Sequence, residues 1–261
     1  MRLVTWNLDG LEERHLDVRT EAACFRLLLS NPPDVVLLQE VVDRSLAAHL
    51  KPHFGHAGYA QIVPPSDSEY FVAAFVRAPH RVLKAWSTPF PGSAMGRALL
   101  SLHIDIGGRE IAVHTAHFES MAEGRKERRR QLAQVVEVLH QASVPSVFGG
   151  DTNLRDEELG GIANLDRIHD TYDLLDHPRD LATTWRPRAG KHRGHRFDRV
   201  FVAGLGVVRA ARIGDERVPE AEGMTVSDHV GIEVELYLPA SAPTAANDTR
   251  DGGTHFRRSL G

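Results

Sequence analysis

The stretch Phe148-Gly149-Gly150-Asp151-Thr152-Asn153-Leu154-Arg155-Asp156 places a group of polar side chains directly after an apolar run. That run, Val144-Pro145-Ser146-Val147, is typical of the end of a buried strand. Because glycine adopts backbone angles closed to other residues, we expect the strand to break at Gly149 and Gly150. A carboxylate, a hydroxyl, an amide and a guanidinium at the end of an apolar strand favour a functional site. Asp, Asn and Gly are also common in turns, so this window alone fits a solvated turn equally well.

The composition is that of an ordinary globular protein. The chain has 261 residues, 42% of them hydrophobic and 25% charged, and this length allows one large domain or two small ones. Because the formal net charge is −4, any contact with nucleic acid needs a local basic patch. Arginine is far more frequent than lysine and suits phosphate recognition, although a bias in genome composition would produce the same excess.

Cysteine usage and hydropathy restrict the class of protein further. Cys24 is the only cysteine, which excludes an intramolecular disulfide and a cysteine-based zinc cluster. The first residues lack the pattern of a signal peptide, and no apolar run approaches the ~20 residues of a membrane span. We therefore expect a soluble, cytoplasmic protein that makes no membrane contact.

Short apolar strands are interspersed with a smaller number of helices. The pattern predicts strands at residues 3–6, 34–38, 59–63, 70–76, 81–86, 98–106, 109–113, 197–202, 207–213 and 230–236, and helices at residues 20–30, 43–53, 120–142 and 170–175. The strand at 34–38 is apolar throughout, as expected of a strand buried on both faces. This mixture of hairpins and crossovers indicates an α/β or α+β domain with more than one sheet over residues 1–239. Residues 240–261 are small, polar and aperiodic, and we predict a disordered tail there.

The helix predicted at 120–142 combines a capping signal with a basic first half. Ser120 and Glu123 match a capping box. The apolar stripe of the helix consists of Leu132, Val135, Val136 and Leu139. Five basic residues lie between 125 and 130, and a second basic segment follows at 186–196. Each basic run is either a solvated face or a contact for a phosphate backbone.

Polar clusters lie at the ends of five apolar strands. They are Asn7/Asp9, Glu40, His117/Ser120, Asp151/Asn153/Arg155 and Asp228/His229. Oxygen ligands such as Glu40 and Asp151 suit Mg²⁺ or Mn²⁺ better than Zn²⁺. An adjacent acid and imidazole, such as Asp228 and His229, suit charge stabilisation and proton transfer. With no cysteine and no evident serine nucleophile in the set, the clusters fit hydrolysis of a phosphoester by an activated water.

Each of these clusters has a structural interpretation when it is taken alone. A single histidine at a strand end is more often a hydrogen-bonded structural residue than a catalyst. Ser120 fits a helix cap, although a helix N-terminus also favours an anion. His114 precedes His117 by three residues, and this odd spacing points the two side chains to opposite faces of a strand. We therefore expect His114 to be structural.

The motifs, taken in order, resemble those of the endonuclease/exonuclease/phosphatase superfamily. The resemblance covers roughly residues 1–238 and rests on Thr5-Trp6-Asn7, Gln39-Glu40, Gly150-Asp151-Thr152-Asn153 and Ser227-Asp228-His229. Finer features are similar to the type 2 tyrosyl-DNA phosphodiesterases, namely Leu8-Asp9-Gly10, His117-Phe118-Glu119-Ser120, Leu154-Arg155-Asp156, Thr184-Trp185 and Arg196-Phe197-Asp198-Arg199-Val200. The resemblance implies an α/β (α+β) fold, a four-layer αββα sandwich of two mixed sheets flanked by helices, with the site where the two sheets meet.

The resemblance also implies roles for individual residues. The metal would be bound by Glu40 with Asn7 close by, and Asp151 would orient or deprotonate the attacking water. The charge-stabilising and orienting residues would be Asn153, His229, Asp228 and Asp198. The residues that contact the phosphate or line the substrate channel would be His117, Ser120, Arg155 and Trp185. On this basis Asn7, Asp151, Asn153, His229, Asp228 and His117 form the predicted catalytic set, and Ser120, Arg155, Trp185 and Asp198 the predicted substrate-binding set.

The function implied by the resemblance is Mg²⁺-dependent hydrolysis of 5′-phosphotyrosyl bonds in DNA, with Mn²⁺ as a possible substitute. Such an enzyme removes topoisomerase adducts during DNA repair, and we expect it to act as a monomer on single-stranded 5′ ends without an obligate protein partner. The alternative within the superfamily is a nuclease or a small-molecule phosphodiesterase or phosphatase. A non-catalytic binding module with the same fold is a third possibility. It is disfavoured because every expected catalytic residue type is present at its motif position.

Overall fold

The protein is described by a computed structural model that covers residues 1–65, 68–188 and 194–239. The predicted tail at 240–261 and the middle of the basic segment at 186–196 lie outside the described residues. Within the described ranges, the helices are too short or too polar to cross a membrane.

Strands account for most of the regular structure. In chain order they are β1 (Arg2–Asn7), β2 (Val35–Val41), β3 (Tyr59–Ile62), β4 (Phe71–Arg77), β5 (Arg81–Pro89), β6 (Ala98–Ile106), β7 (Arg109–Thr115), β8 (Ser146–Asp151), β9 (His169–Asp170), β10 (Asp198–Ala203), β11 (Gly206–Ile213), β12 (Arg217–Val218), β13 (Met224–Thr225) and β14 (Gly231–Tyr237). The α-helices are α1 (Leu16–Leu28), α2 (Asp43–Ser45), α3 (Lys51–His56), α4 (Arg125–Gln141) and α5 (Thr171–Leu174), and a π-helical stretch (Leu46–Leu50) joins α2 to α3. Short 3₁₀ turns lie at Asp156–Glu158, Leu165–Arg167, Arg179–Leu181 and Pro219–Ala221. The predicted strands are confirmed to within a few residues at their ends.

Two six-stranded mixed sheets form the centre of the molecule. The first has the order β11-β14-β1-β2-β4-β3, and its β1–β2 pair is parallel. The second has the order β5-β6-β7-β8-β10-β9, and its β7–β8 pair is parallel. The strands β12 and β13 form a separate two-stranded ribbon.

Alternation along the central strands produces the four layers. On β2, Val35 and Leu37 belong to the core between the sheets, whereas Val36 and Leu38 pack in a second core with residues of α1 and α3. A third core lies between the other sheet and α4. Because β2 is buried on both faces, its sequence is continuously apolar. The predicted αββα sandwich is therefore confirmed.

The prediction that β8 breaks at Gly149 and Gly150 is wrong. The strand runs through both glycines to Asp151, and all six of its residues are buried. The glycines are needed because a side chain would not fit. A Cβ at Gly149 would lie 3.2 Å from Leu37 in the facing sheet, and a Cβ at Gly150 would overlap the carbonyl oxygen of Ala116. Tight packing against side chains of the facing sheet at Gly149 and against backbone at Gly150 explains the pair, not unusual backbone angles.

Replacing Gly150 by Ala should destabilise the fold. The added methyl group overlaps backbone, which cannot rotate away, so we expect a loss of about 1–3 kcal/mol in the free energy of unfolding. Urea denaturation measures this loss. The matched control is Gly160→Ala, because that glycine is exposed and a Cβ there meets nothing within 4 Å. Equal stability of the two variants would contradict the packing explanation.

The prediction of a capping box at Ser120 is also wrong. Helix α4 begins at Arg125, with Gly124 at the capping position and a turn before it. The Ser120 hydroxyl lies 3.3 Å from the sulfur of Met95 and does not cap the helix. The predicted apolar stripe is confirmed. Its members Leu132, Val135, Val136 and Leu139 are all buried.

The sequence allows two interpretations of the basic residues at the start of α4, a solvated face or a contact for a phosphate backbone. Arg128 fits neither of them. This side chain is 1% exposed and donates two hydrogen bonds, of 2.7 and 2.6 Å, to the carboxylate of Glu158. The neighbouring Arg129 donates to the carbonyl oxygens of Glu158 and Gly160. The two arginines therefore anchor the loop that follows β8, and Arg128 is neither a solvated residue nor open to a phosphate.

His114 is structural, as its spacing predicts. It is 2% exposed and its Nδ1 lies 2.8 Å from the hydroxyl of Ser101, away from the candidate site described below. Burial lowers the pKa of this imidazole to about 4. The folded protein therefore holds His114 neutral where the unfolded chain, with an ordinary pKa near 6.5, begins to take up a proton.

This histidine should make the fold acid-sensitive. The stability that comes from keeping His114 neutral is fully present above pH 6.5. As the pH falls from 6.5 toward 4, the unfolding free energy decreases by roughly 1.4 kcal/mol per pH unit. Between pH 7 and 5, the wild type should lose about 2 kcal/mol more unfolding free energy than His114→Gln. Urea titrations at both pH values test this, with the exposed His169→Gln as the matched control. Identical pH dependence in the wild type and His114→Gln would refute it.

Candidate active site

Three strand ends from the two sheets converge on one edge of the sandwich. Asn7 ends β1, Glu40 lies near the end of the parallel neighbour β2, and Asp151 ends β8 in the other sheet. The pairing of β2 with β4 is irregular between Leu38 and Val41, and Glu40 has a positive φ of 49°. Such a bulge with a left-handed residue is a costly arrangement that redirects a side chain. The sequence pattern predicts the convergence, but not this bulge.

Asn7 links the two carboxylates. Its amide nitrogen lies 3.2 Å from Oε1 of Glu40 and 2.9 Å from Oδ2 of Asp151, while its amide oxygen accepts a hydrogen bond from the backbone of Asp9. Burial raises the pKa of Glu40 to about 7, the Asn7 hydrogen bond opposes this shift, and the charge of Asp151 adds to it. A cation beside these two carboxylates would relieve both the desolvation and the repulsion. Their oxygen chemistry fits Mg²⁺.

His117 lies against the same two carboxylates. Its Nε2 is 3.3 Å from Oδ2 of Asp151 and 3.8 Å from Oε1 of Glu40. Its Nδ1 is 3.2 Å from the Arg97 guanidinium, which has only donors, so Nδ1 accepts and Nε2 carries the hydrogen. Burial lowers the pKa of His117 to about 3, and the Arg97 charge lowers it further against the opposing effect of Asp151. His117 is therefore a neutral donor directed at the carboxylates.

His229 lies between two aspartates. Its Nδ1 is 2.7 Å from Oδ2 of Asp198, and its Nε2 is 3.7 Å from Oδ2 of Asp151. Burial works to lower the pKa of His229, but the charges of Asp198 and Asp151 outweigh it and raise the pKa to about 10. Ligand atoms of these three residues lie within 4.8 Å of one another, close enough to share a metal ion. The hydrogen bond to Asp198 and the raised pKa make His229 an imidazolium donor, so Glu40 and Asp151 are the better pair of metal ligands.

Trp185 forms one wall of the site. Its indole nitrogen donates a 2.8 Å hydrogen bond to Oδ2 of Asp228, and its ring stacks on His195 and packs against Phe197. The backbone around Trp185 pairs with the segment that carries Asp228 and His229. The aromatic face is therefore held at a fixed angle beside the imidazolium.

The loop after β8 supplies the remaining predicted groups. The backbone nitrogen of Asn153, which has a φ of 51°, donates a 2.9 Å hydrogen bond to Oδ1 of Asp151. The guanidinium of Arg155 is 34% exposed, lies over Phe197 and is 3.7 Å from Glu158. Asp151 is thus fixed through both oxygens, while Arg155 keeps part of its surface free.

These groups surround one cavity of about 420 Å³. Nine predicted site residues line it, namely Glu40, His117, Ser120, Asp151, Asn153, Arg155, Trp185, Asp228 and His229. Asn7 and Asp198 are fully buried and lie behind this surface. Direct substrate binding by Asp198 therefore does not fit the structure, because its carboxylate reaches the cavity only through His229. Its predicted orienting role does fit.

Sequence reasoning misses several residues of the site. Asp9 lines the cavity, whereas the sequence places it in the Asn7/Asp9 cluster but assigns it no role. A second cavity of about 310 Å³ adjoins His117 and is lined in part by Tyr70, Arg97 and Met95. Arg97 is 7% exposed, and its guanidinium carbon lies 4.8 Å from the centre of the Tyr70 ring. Nothing in the sequence distinguishes an arginine before a strand from a surface residue.

Arg19 is a further residue without a sequence signal. It is 1% exposed, and its guanidinium donates to carbonyl oxygens on both sides of the site. The acceptors are those of Leu8, Asp9, Glu12, Arg14 and Val226. This side chain therefore ties the loop after Asn7 to the loop before Asp228.

Comparison with known proteins supports this description. A model of the Endonuclease/Exonuclease/phosphatase family matches residues 4–229. Tyrosyl-DNA phosphodiesterase 2 of Gallus gallus is 37% identical over 187 residues, which cover 70% of this chain and 49% of that protein. The Bos taurus protein of the same name is 34% identical over 230 residues, which cover 84% and 60%. The chain thus spans about half the length of the curated relatives it matches.

Solved structures show the same similarity. A crystal structure of Danio rerio TDP2 complexed with single strand DNA product matches with a TM-score of 0.84 and 27% identity, covering 91% of this chain and 98% of that one. A crystal structure of Caenorhabditis elegans TDP2 matches with a TM-score of 0.80 and 29% identity, covering 90% and 74%.

Proposed function

The chain belongs to the endonuclease/exonuclease/phosphatase family, and from this premise we propose that residues 1–239 are a divalent-metal-dependent phosphodiesterase domain. Its proposed substrate is the bond between a tyrosine and a DNA 5′-phosphate, the lesion that a trapped topoisomerase leaves. The similarity to proteins named tyrosyl-DNA phosphodiesterase 2 supports this substrate class. The observation that carries the proposal is the cavity at His117, which suits a tyrosyl leaving group.

The cavity of about 310 Å³ beside His117, which we call the leaving-group cavity, is lined by side chains that suit a phenol. It adjoins the two carboxylates at His117 and places Tyr70, the Arg97 guanidinium and Met95 around a space of about 310 Å³. Arg97 is 7% exposed and lines this cavity. Its positive charge would stabilise a developing phenolate, and the Tyr70 ring would pack against the aromatic ring of the substrate. A nuclease, whose leaving group is a sugar hydroxyl, has no need of this arrangement.

Asp151 is proposed to orient and deprotonate the attacking water. Asn7 and the Asn153 backbone hold its carboxylate, so little reorganisation is needed. The Asn153 amide and the His229 imidazolium would donate to the phosphoryl oxygens as negative charge develops. Asp198 would keep His229 protonated and correctly turned, while Asp228 would hold Trp185.

Glu40 and Asp151 are proposed to hold the divalent metal, with the Asn7 amide between them. The buried, mutually repelling carboxylates fit a cation, and their oxygen donors favour Mg²⁺, with Mn²⁺ as the closest substitute. When bound, the metal would neutralise charge on a phosphoryl oxygen. His117, neutral and 3.3 Å from Asp151, would donate toward the same phosphate.

Trp185 and Arg155 are proposed to hold the DNA end. A fixed indole face offers stacking to a base, which is worth about 1–3 kcal/mol per base and tolerates any sequence. The partly exposed Arg155 guanidinium suits the phosphate, as does Ser120 at the rim of the cavity. These features favour an unpaired 5′ end over a duplex. The relative solved with a single-strand DNA product is consistent with this choice.

A side-by-side assay of three substrates tests the proposal. The substrates are a 5′-phosphotyrosyl oligonucleotide, an abasic duplex and a phospholipid headgroup ester, each with Mg²⁺ and with a chelator. We expect Mg²⁺-dependent tyrosine release from the first substrate to exceed turnover of the other two. Turnover of the abasic duplex or the headgroup ester without tyrosine release would overturn the proposed substrate.

A further inference from the structure

A second polar cavity lies behind the Trp185 wall of the active site. Its volume is about 290 Å³, and four arginines line it, namely Arg186, Arg188, Arg212 and Arg217. Two carboxylates, those of Asp215 and Asp228, also face it. We refer to this space as the arginine cavity.

Two of the four arginines in the arginine cavity, Arg186 and Arg217, have no ion-pair partner among the described residues. Arg186 is exposed and has no ion pair or side-chain hydrogen bond among the described residues. Arg217 is exposed and donates only to the carbonyl oxygen of Gly223 within the described part of the chain. Arg212 is 3.4 Å from Asp215, a carboxylate that is itself about half exposed. Arg188, by contrast, is engaged through its ion pair with Asp9.

The arginines come from separate parts of the chain and meet at one cavity. This convergence of positive charge favours an anion as the ligand. Arg186 follows Trp185, Arg212 lies near the end of β11, and Arg217 begins β12. Asp215 and Asp228 offset part of this positive charge, but Arg186 and Arg217 have no carboxylate partner among the described residues, so an anion between them would relieve their repulsion. Phosphate is the anion whose geometry the guanidinium matches best.

The arginine cavity adjoins the catalytic cavity. Trp185 lines the catalytic cavity and the next residue, Arg186, lines the arginine cavity, while Asp228 faces both. Backbone hydrogen bonds from Arg186 to Asp228 and from Val230 to Thr184 form the wall between the two. The two cavities therefore adjoin each other at Asp228 and at the Trp185–Arg186 peptide.

We propose that the arginine cavity binds backbone phosphates of the DNA strand beyond the nucleotide at the cleaved bond. The inference rests on the proposed function, because it takes the occupant of the catalytic cavity to be a DNA 5′ end. It adds a second point of attachment that selects substrates longer than a mononucleotide. The free energy of this attachment contributes to binding and not to the chemical step.

Salt-dependent binding of a 5′-phosphorylated single-stranded oligonucleotide tests this proposal. The variant is the double substitution Arg186→Gln with Arg217→Gln, since both side chains are exposed and neither makes an ion pair among the described residues. We expect its Kd to rise about tenfold at low salt, and the slope of log Kd against log salt to fall by about 0.7 for each phosphate that the variant no longer binds. The matched control is Arg209→Gln, which lies on β11 but pairs with Glu233 and Glu235.

Two further measurements distinguish free phosphate from backbone phosphate as the ligand. They also distinguish a failure of this proposal from a failure of the proposed function. Inorganic phosphate should bind equally to the wild type and the double variant, and the tyrosyl ester of a 5′-mononucleotide should bind to both and be hydrolysed by both equally. An unchanged salt slope for the oligonucleotide would overturn the proposal, as would an equal loss of affinity for inorganic phosphate. Absence of tyrosine release from every substrate by the wild type would instead refute the proposed function, and the oligonucleotide slope would still decide the role of the arginine cavity.

Discussion

The Asp151→Asn variant is expected to fold like the wild type and to lose about 10²–10⁴-fold in kcat for tyrosine release. Asparagine keeps the shape of the side chain and the hydrogen bond from the Asn153 backbone, although its amide nitrogen then faces the donors of Asn7 and His117. It removes the negative charge that would take the water proton and would help to hold the metal. Asp151 is 1% exposed, and its carboxylate lies between Asn7, His117 and His229.

Single-turnover kinetics with a 5′-phosphotyrosyl oligonucleotide measure this loss, and thermal unfolding confirms that the variant folds. The matched control is Glu157→Gln, because Glu157 is an exposed carboxylate in the same loop and does not line the catalytic cavity. We expect this control to keep wild-type kcat. If Asp151→Asn retained more than about a tenth of kcat, an assignment as general base would be wrong, since proton transfer typically contributes at least 10²-fold.

The Glu40→Gln variant should lose both activity and stabilisation by Mg²⁺. For the wild type, a ligand that binds only the folded state at 100 times its Kd adds about 2.7 kcal/mol to the unfolding free energy. The neutral amide cannot replace the buried carboxylate as a hard oxygen ligand, so the variant should unfold at the same temperature with and without Mg²⁺. Without metal it should be no less stable than the wild type, because burial already disfavours the Glu40 charge.

Differential scanning fluorimetry over a range of MgCl₂ concentrations provides this measurement, with Glu123→Gln as the control at an exposed position. Because burial raises the pKa of Glu40 to about 7, Mg²⁺ binding by the wild type should also weaken as the pH falls through 7. Persistence of the Mg²⁺-dependent shift in Glu40→Gln would place the metal elsewhere, and the group of Asp151, Asp198 and His229 would then be the next candidate.

The parts of the fold that depend on local patterns can be predicted from the sequence. The continuous apolar run of β2 predicts a strand buried on both faces, and the residues after β1, β2 and β8 predict where side chains meet. The odd spacing of His114 and His117 correctly separates a structural imidazole from one in the site. Each of these inferences uses only the two-residue period of a strand or the position at which an apolar run ends.

The parts that depend on distant contacts could not be predicted. Gly149 and Gly150 fit a turn by composition, but the facing sheet and the Ala116 backbone determine their role. Arg128 belongs to a charged run, yet its buried partner Glu158 lies 30 residues further along the chain. The role of Arg97 follows only from its contacts with His117 and Tyr70 in the folded protein. The spacing of residues along the chain does not predict these contacts, because the partners are distant in sequence and meet only in the folded structure.

The most direct test of the account is a single turnover of a 5′-phosphotyrosyl oligonucleotide with Mg²⁺ in H₂¹⁸O, with both products analysed by mass spectrometry. Attack of an Asp151-oriented water on phosphorus breaks the bond between phosphorus and the tyrosine oxygen. The account therefore predicts one ¹⁸O atom in the DNA 5′-phosphate and none in the released tyrosine. Label in the tyrosine, or no Mg²⁺-dependent release at all, would contradict it.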